Sequence, residues 1–516
     1  MVAIPRSFWE FSATVADLLF PQWLSTRLLA QKDQYAPHPS YVGFEGWYTR
    51  IQDESAGLSI ILIFCSLGDS TPLGTPRKHY FHFSVTPIGD SSTIEPVEFH
   101  LFPDDLQHIV DSPPDSETGL QPYTLNIPNI GSFTVEPKSQ RYNLTVPCGE
   151  SASEHWKVSI DITDRVPLSQ EHPLLSTPHS MALSRLETIL PLHWAIFSTG
   201  SKANYDVKHI GADGVGSEVF GGTGVAHMEK NWGASFPTGW TWCQAFGASS
   251  HDPAQTLGDH RDNATRDCVA IAGGVLALGQ KAYLIHYKDS GDARRDERSI
   301  HPSYSAKDHE STEKSDPNDK QHINWTFRPL WTLILALPYP VGIPRFKISR
   351  KNLVEKNPSL SNTFDSSAGR GSTTVSTLTF NFSVLGLPAL SLMIPYAVIQ
   401  FSPFGSMHET FTYDERSGFG RLRLAAATLN RRILIDARSE SRPATLTSQV
   451  QPRWLALHCP MPGGHATHAY ETFTARATIR AYRRQWRFGW PRWVEIRNAE
   501  FEHAALEFGG LYAAIA

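Results

Sequence analysis

The chain has 516 residues, with 46 Lys and Arg against 51 Asp and Glu, a net charge of −5 with His neutral. That balance argues against a nucleic-acid surface, which needs a clustered basic field. A hydrophobic fraction of 41% excludes global disorder, while 36 Gly, 36 Pro and 11% aromatics suit many short strands joined by turns better than a helical bundle.

Residues 1–34 predict an amphipathic helix. Phe8, Phe11, Val15, Leu18 and Leu19 keep helical spacing until Pro21. Glu10 and Asp17 interrupt the apolar run and no basic segment precedes it, so neither a signal peptide nor a transit peptide is expected, and the location expected is cytoplasmic. The helix is expected to dock on the protein's own body. Peripheral membrane contact through it is the alternative.

Strands are expected at Leu58 to Phe64 and His79 to Val85. They are also expected where Trp156, Val158, Ile160 and Ile162 alternate with polar residues, and where Phe473, Ala475, Ala477, Ile479 and Ala481 form one face. Gly211 to Gly216 and Gly221 to Gly224 read as turns that precede a strand, which argues against a phosphate-cradling loop. Residues 288–322 are dense in charge and nearly free of large apolar residues, and read as a flexible loop. Phe382 to Phe401 carries no charge over a membrane-spanning length, but Gly386, Pro388 and Pro395 interrupt it. The alternation from Leu378 to Val384 makes it sheet or loop instead.

Cys65, Cys148, Cys243, Cys268 and Cys459 are odd in number, widely spaced and without a Cys-x-x-Cys pair. They are expected to be buried thiols, not disulfides or a zinc cage. His458, Cys459, His465 and His468 are expected to lie in a solvated Pro/Gly loop. No metal site and no cofactor are expected.

Two segments carry a resemblance. One is Gly43-Phe44-Glu45-Gly46-Trp47-Tyr48-Thr49-Arg50. The other is His227-Met228-Glu229-Lys230-Asn231-Trp232-Gly233-Ala234-Ser235-Phe236-Pro237, followed by Trp240-Thr241-Trp242-Cys243-Gln244. Together they resemble the tocopherol cyclase family. Ala272-Gly273-Gly274 and Ala505-Leu506-Glu507-Phe508-Gly509-Gly510 are also similar to it. The likeness covers about 35–290 and, more loosely, 395–516.

The resemblance implies an all-β fold of two lipocalin-like antiparallel barrels, in line with the strand pattern. The expected division is 1–34 for the helix, 35–225 for the first β domain, and 226–516 for the second, which carries the loop at 288–322. The resemblance also implies a cofactor-free cyclisation of a prenylated aromatic or similar isoprenoid-bearing apolar substrate. A side-chain double bond is protonated and a phenol oxygen closes on the resulting cation. A looser likeness extends to pericyclases and hydratases acting on polyenes, and a non-catalytic lipid-binding protein is the reading from another class.

That chemistry needs a protonated carboxyl in a dry site and aromatic faces around the cation. On an extended strand His227, Glu229 and Asn231 share one face, and Met228, Lys230 and Trp232 the other. The catalytic candidates are therefore Glu229, Lys230, Asn231 and His227, with Glu229 as the expected proton donor. The substrate-binding candidates are Trp232, Trp240, Trp242, Gln244, Glu45, Trp47 and Tyr48. Each has a structural alternative: a core stripe for the tryptophans, an ion pair for Glu229 and Lys230, and capped turn amides for Glu45.

Overall fold

The computed structural model describes residues 33–37, most of 43–167, residue 174, 192–247, 267–275, 281–288 and most of 406–513, with four short strands between 322 and 395. The expected helix up to residue 32 and residues 289–321 of the expected loop lie outside the described residues, as does most of Phe382 to Phe401. Among the described residues there is no helix, and every strand pairing is antiparallel.

The first sheet contains eleven strands: β1 (Phe44–Asp53), β2 (Leu58–Leu67), β3 (His79–Pro87), β4 (Val97–Leu101), β5 (Gln107–Ile109), β6 (Tyr123–Ile127), β7 (Gly131–Val135), β8 (Ser139–Pro147), β9 (His155–Thr163), β10 (Leu192–Ile210) and β11 (Gly216–Gly233). β1 lies between β2 and β11, so the two family-like segments are neighbours, with Tyr48 opposite Glu229. The second sheet opens with β12 (Gly239–Phe246), β13 (Cys268–Val275), β14 (Lys281–Lys288) and β15 (His322–Trp325). β16 (Arg345–Ser349), β17 (Thr377–Asn381) and β18 (Ser391–Pro395) form a small third sheet. The second sheet resumes with β19 (Ser406–Asp414), β20 (Phe419–Ala427), β21 (Arg431–Ser439), β22 (Leu455–Met461), β23 (Gly464–Arg487) and β24 (Trp490–Gly510).

Each large sheet curls onto its own core. Phe64 on β2 lies 5.9 Å from Phe133 on β7 and 6.1 Å from Tyr142 on β8, although β1, β11, β10 and β9 intervene in the strand order. In the second sheet Phe411 on β19 lies 6.2 Å from Phe508 on β24, with β20, β21 and β23 between. The architecture is all-β and fits two lipocalin-like units.

Burial shows where the units meet. β8 alternates buried and exposed along its length, as a strand with one wet face must. β2 and β12 are buried at nearly every position, because one face lines a barrel core and the other meets the opposite sheet. Tyr48, Ile61, Trp194 and Ile196 of the first sheet form one apolar cluster with Trp242, Ala270, Leu455, Phe473 and Ala505 of the second. We call this contact the seam.

Three sequence readings are corrected here. Phe473 does not share a face with Ala475, Ala477 and Ile479. An extra residue between Thr472 and Ala475 makes a bulge against β24, which sends Phe473 to the seam and leaves the others in the second core. Gly221, Gly222 and Gly224 are not a turn but the interior of β11. A Cβ on Gly222 would meet Asp53 Oδ2 at 2.7 Å and the Tyr205 hydroxyl at 2.8 Å, so glycine is there for close approach. Finally, His458, Cys459, His465 and His468 lie on the β22–β23 hairpin and not in a solvated loop. Gly464, at φ +112°, turns that hairpin against the first sheet, where the His465 backbone N–H donates to the Arg77 carbonyl over 3.1 Å.

Among the cysteines, Cys65, Cys243, Cys268 and Cys459 are buried and Cys148 is half-buried, and all five are free. No described helix is long and apolar enough to cross a membrane.

Candidate active site

The pleat divides the expected site residues into two sets. Tyr48, His227, Glu229 and Asn231 face the seam from the first sheet, and Trp240, Trp242 and Gln244 face it from the second. Glu45, Trp47, Lys230 and Trp232 point the other way, into the first unit. There Lys230 Nζ sits 2.9 Å from Glu45 Oε2, 4.7 Å from the Trp47 ring centre and 5.2 Å from that of Trp232. It also donates to the Ala36 carbonyl. Neighbouring positions in the chain, Glu229 and Lys230, thus serve different environments.

Glu229 is 2% exposed. Its Oε2 lies 2.9 Å from His227 Nε2 and accepts from Trp242 Nε1 over 3.1 Å, while its Oε1 accepts from Asn231 Nδ2 over 3.3 Å. The Trp242 bond comes from the opposite sheet. Tyr48, beside Glu229, makes the reciprocal link: its hydroxyl donates to Glu471 Oε1 on β23 over 2.8 Å. The Tyr48 and Trp242 rings meet edge to face at 5.1 Å. Each sheet thus lends an aromatic donor to a glutamate of the other.

Two more glutamates complete the cluster. Glu471 pairs with Glu507 across β23 and β24, and Glu507 pairs with Trp242 across β24 and β12. Glu507 accepts a hydrogen bond from Trp240 Nε1. Burial, and then the neighbouring Glu507, hold the Glu471 carboxyl well above the ordinary carboxylate range. Burial likewise pushes Glu507 up to about 7, offset in part by the Trp240 bond.

The cluster's buried cation is Arg50, at 0% exposure. Its Nη1 donates to the Gln244 side-chain and backbone oxygens over 2.7 and 3.2 Å, and its Nη2 to Gln52 Oε1 over 2.9 Å and to the His503 carbonyl. Its guanidinium lies 5.3 Å from the Phe473 ring centre. His503 has a left-handed backbone, φ 55°, beside the irregularity where Ala504 and Phe501 pair with Ala475 and Ala477. That conformation costs a non-glycine residue energy, and here its carbonyl meets Arg50. Among the described residues, none of the hydrogen bonds made by Arg50 goes to a carboxylate. The Gln244 carboxamide oxygen is taken by Arg50, while its Nε2 has no hydrogen-bond partner among the described residues.

Solvent still reaches parts of this seam. Ile63, Asn231, Ala272 and Glu507 each keep partial exposure although their strands place them beside Tyr48, Glu229 and Trp242. Ile63 packs against three separate apolar clusters. The arrangement surrounds three carboxyls with apolar and aromatic side chains.

Sequence reasoning missed Arg50, Gln52, Glu471 and Glu507 as members of the site. One signal was available for Glu471: an acid at an inward position of the run Ala469-Tyr470-Glu471-Thr472-Phe473. Among the described residues one group has metal-ligand spacing, Cys148, Glu154 and His209, and it lies on the first sheet apart from these carboxyls.

No known protein-family model and no curated sequence matches the chain. Solved structures do. CghA with Sch210972 is similar with a TM-score of 0.43 and 10% identity, over 93% of this chain and 97% of that one. Kievitone hydratase from Nectria haematococca is similar with a TM-score of 0.32 and 8% identity, over 94% of each chain. At this distance the likeness carries no argument about chemistry, which rests on the site.

Proposed function

We propose that the protein is a cofactor-independent enzyme that closes a ring within a prenylated aromatic or similar isoprenoid-bearing substrate held at the seam. The observation that carries this reading is the set of three glutamates, 229, 471 and 507, gathered with Tyr48, Trp240 and Trp242 on one buried apolar surface. A carboxyl kept neutral by desolvation supplies a proton to an alkene. The aromatic faces stabilise the cation that follows, and the dry surroundings delay its capture by water. Tyr48, Trp240, Trp242 and the spare N–H of Gln244 hold the substrate. Glu229, with His227 and Asn231, orders the cluster. Glu45, Trp47, Lys230 and Trp232 brace the same strands from the other side.

The test is incubation of the purified protein with prenylated hydroquinones and polyenes, read by mass spectrometry and NMR. An isobaric product with a new ring supports the reading. A gain of one water makes the protein a hydratase, and recovery of unchanged bound ligand makes it a carrier.

A further inference from the structure

We infer that Glu471, not Glu229, carries the transferable proton of the cluster; this rests on the reading of the seam as a ring-closing site. The distribution of donors separates the three carboxyls. Glu229 is met by His227, Asn231 and Trp242, all nitrogen partners, and both its oxygens are engaged. It is built to accept. Glu471 has one donor, the Tyr48 hydroxyl on Oε1, and its Oε2 is buried with no hydrogen-bond partner among the described residues. An ionised carboxylate with a bare buried oxygen is unfavourable, whereas a neutral acid needs fewer partners. A proton on Oε2 has no competing acceptor among the described residues.

The surroundings agree. Glu471 is 0% exposed and lies directly across from Glu507. The Tyr48 hydrogen bond and the Arg50 charge act the other way, favouring the ionised form, and burial outweighs them. Like charges at this spacing do not all ionise. Once the proton leaves, the Tyr48 hydroxyl and the Arg50 charge stabilise the carboxylate formed.

The step balances. The alkene π pair takes the proton from Glu471 Oε2, forming a C–H bond and leaving the O–H pair on the carboxylate. The tertiary cation is captured by a lone pair of the substrate's hydroxyl, forming the C–O bond. That oxygen's proton then returns to the Glu471 carboxylate, so the product is an isomer and the enzyme is restored.

Infrared difference spectroscopy of the whole protein at neutral pH tests this without any substrate, because a protonated carboxyl absorbs apart from carboxylates. The expected result is an acid band that Glu471→Gln removes and Glu229→Gln leaves. Tyr48→Phe should shift that band by removing its hydrogen bond, which covers the case in which Glu471→Gln does not fold. With a converted substrate, Glu471→Gln should lower turnover by about 10²–10⁴, the scale of a general acid. Glu507, pushed up to about 7, adds its own acid absorption, which Glu507→Gln identifies; an acid band whose intensity does not fall in Glu471→Gln, or one that vanishes in Glu229→Gln, overturns the assignment. Failure of the underlying reading looks different: the band still belongs to Glu471, but no prenylated or polyene compound is converted.

Discussion

Tyr48 and Glu471 stand 423 positions apart in the chain, and the hydroxyl of the first donates to the carboxyl of the second over 2.8 Å. The bond joins the two sheets at the centre of the seam. Tyr48→Phe keeps the ring against Trp242 and removes only the O–H. It should cost about 1–3 kcal/mol, because a buried acceptor loses its partner. Equilibrium unfolding in denaturant measures this, and an unchanged midpoint would place the bond outside the folded protein's energetics.

The reciprocal bond, from Trp242 to Glu229, predicts a graded effect. Trp242→Phe keeps an aromatic face but removes the N–H donor. Turnover should fall less than in Glu471→Gln, since a smaller ring still stabilises a cation. A loss as large as that of the acid would make the indole N–H part of the reaction.

Lys230 and Glu45 form a buried pair on the opposite side of the strand. Lys230→Met alone strands the Glu45 charge and should cost about 3–5 kcal/mol. The double variant Lys230→Met, Glu45→Met should recover much of that loss. Thermal unfolding of the wild type, both single variants and the double variant checks it, and additive losses would argue against a coupled pair.

The histidines near β3 and β22–β23 predict acid sensitivity. Burial lowers His458 and His465 to about 4 and His82 well below its usual value. In the folded protein they stay neutral where the unfolded chain, near 6.5, is protonated. Stability from them is therefore complete above about pH 6.5 and is lost as pH falls toward 4. Glu471 and Glu507, raised in the fold, act in the opposite sense. The comparison that isolates the histidines is His458→Asn with His465→Asn, which should flatten the melting temperature between pH 6.5 and 4. An unchanged slope would assign the acid loss elsewhere.

Much of the site's local geometry was legible in the chain. Period two alone put His227, Glu229 and Asn231 on one face and Trp240, Trp242 and Gln244 on another, and the structure brings those faces together. What alternation does not encode is which distant strand arrives opposite. Glu471 reaches Tyr48 through the curl and docking of whole sheets. Phe473 changes face through a bulge that adds one residue without any local turn signal. Arg50 was visible only as the end of a motif. Its burial follows from carbonyl and amide acceptors on β1, β12 and β24, which come together only in the fold.

The central claim is that a seam carboxyl protonates a carbon–carbon double bond before the ring closes. Cyclisation of a prenylated hydroquinone in heavy water tests it directly. The account predicts one solvent deuterium per product molecule, bound to the carbon beside the new C–O bond. A cyclised product with no carbon-bound deuterium would contradict it, and would mean that ring closure proceeds without the acid.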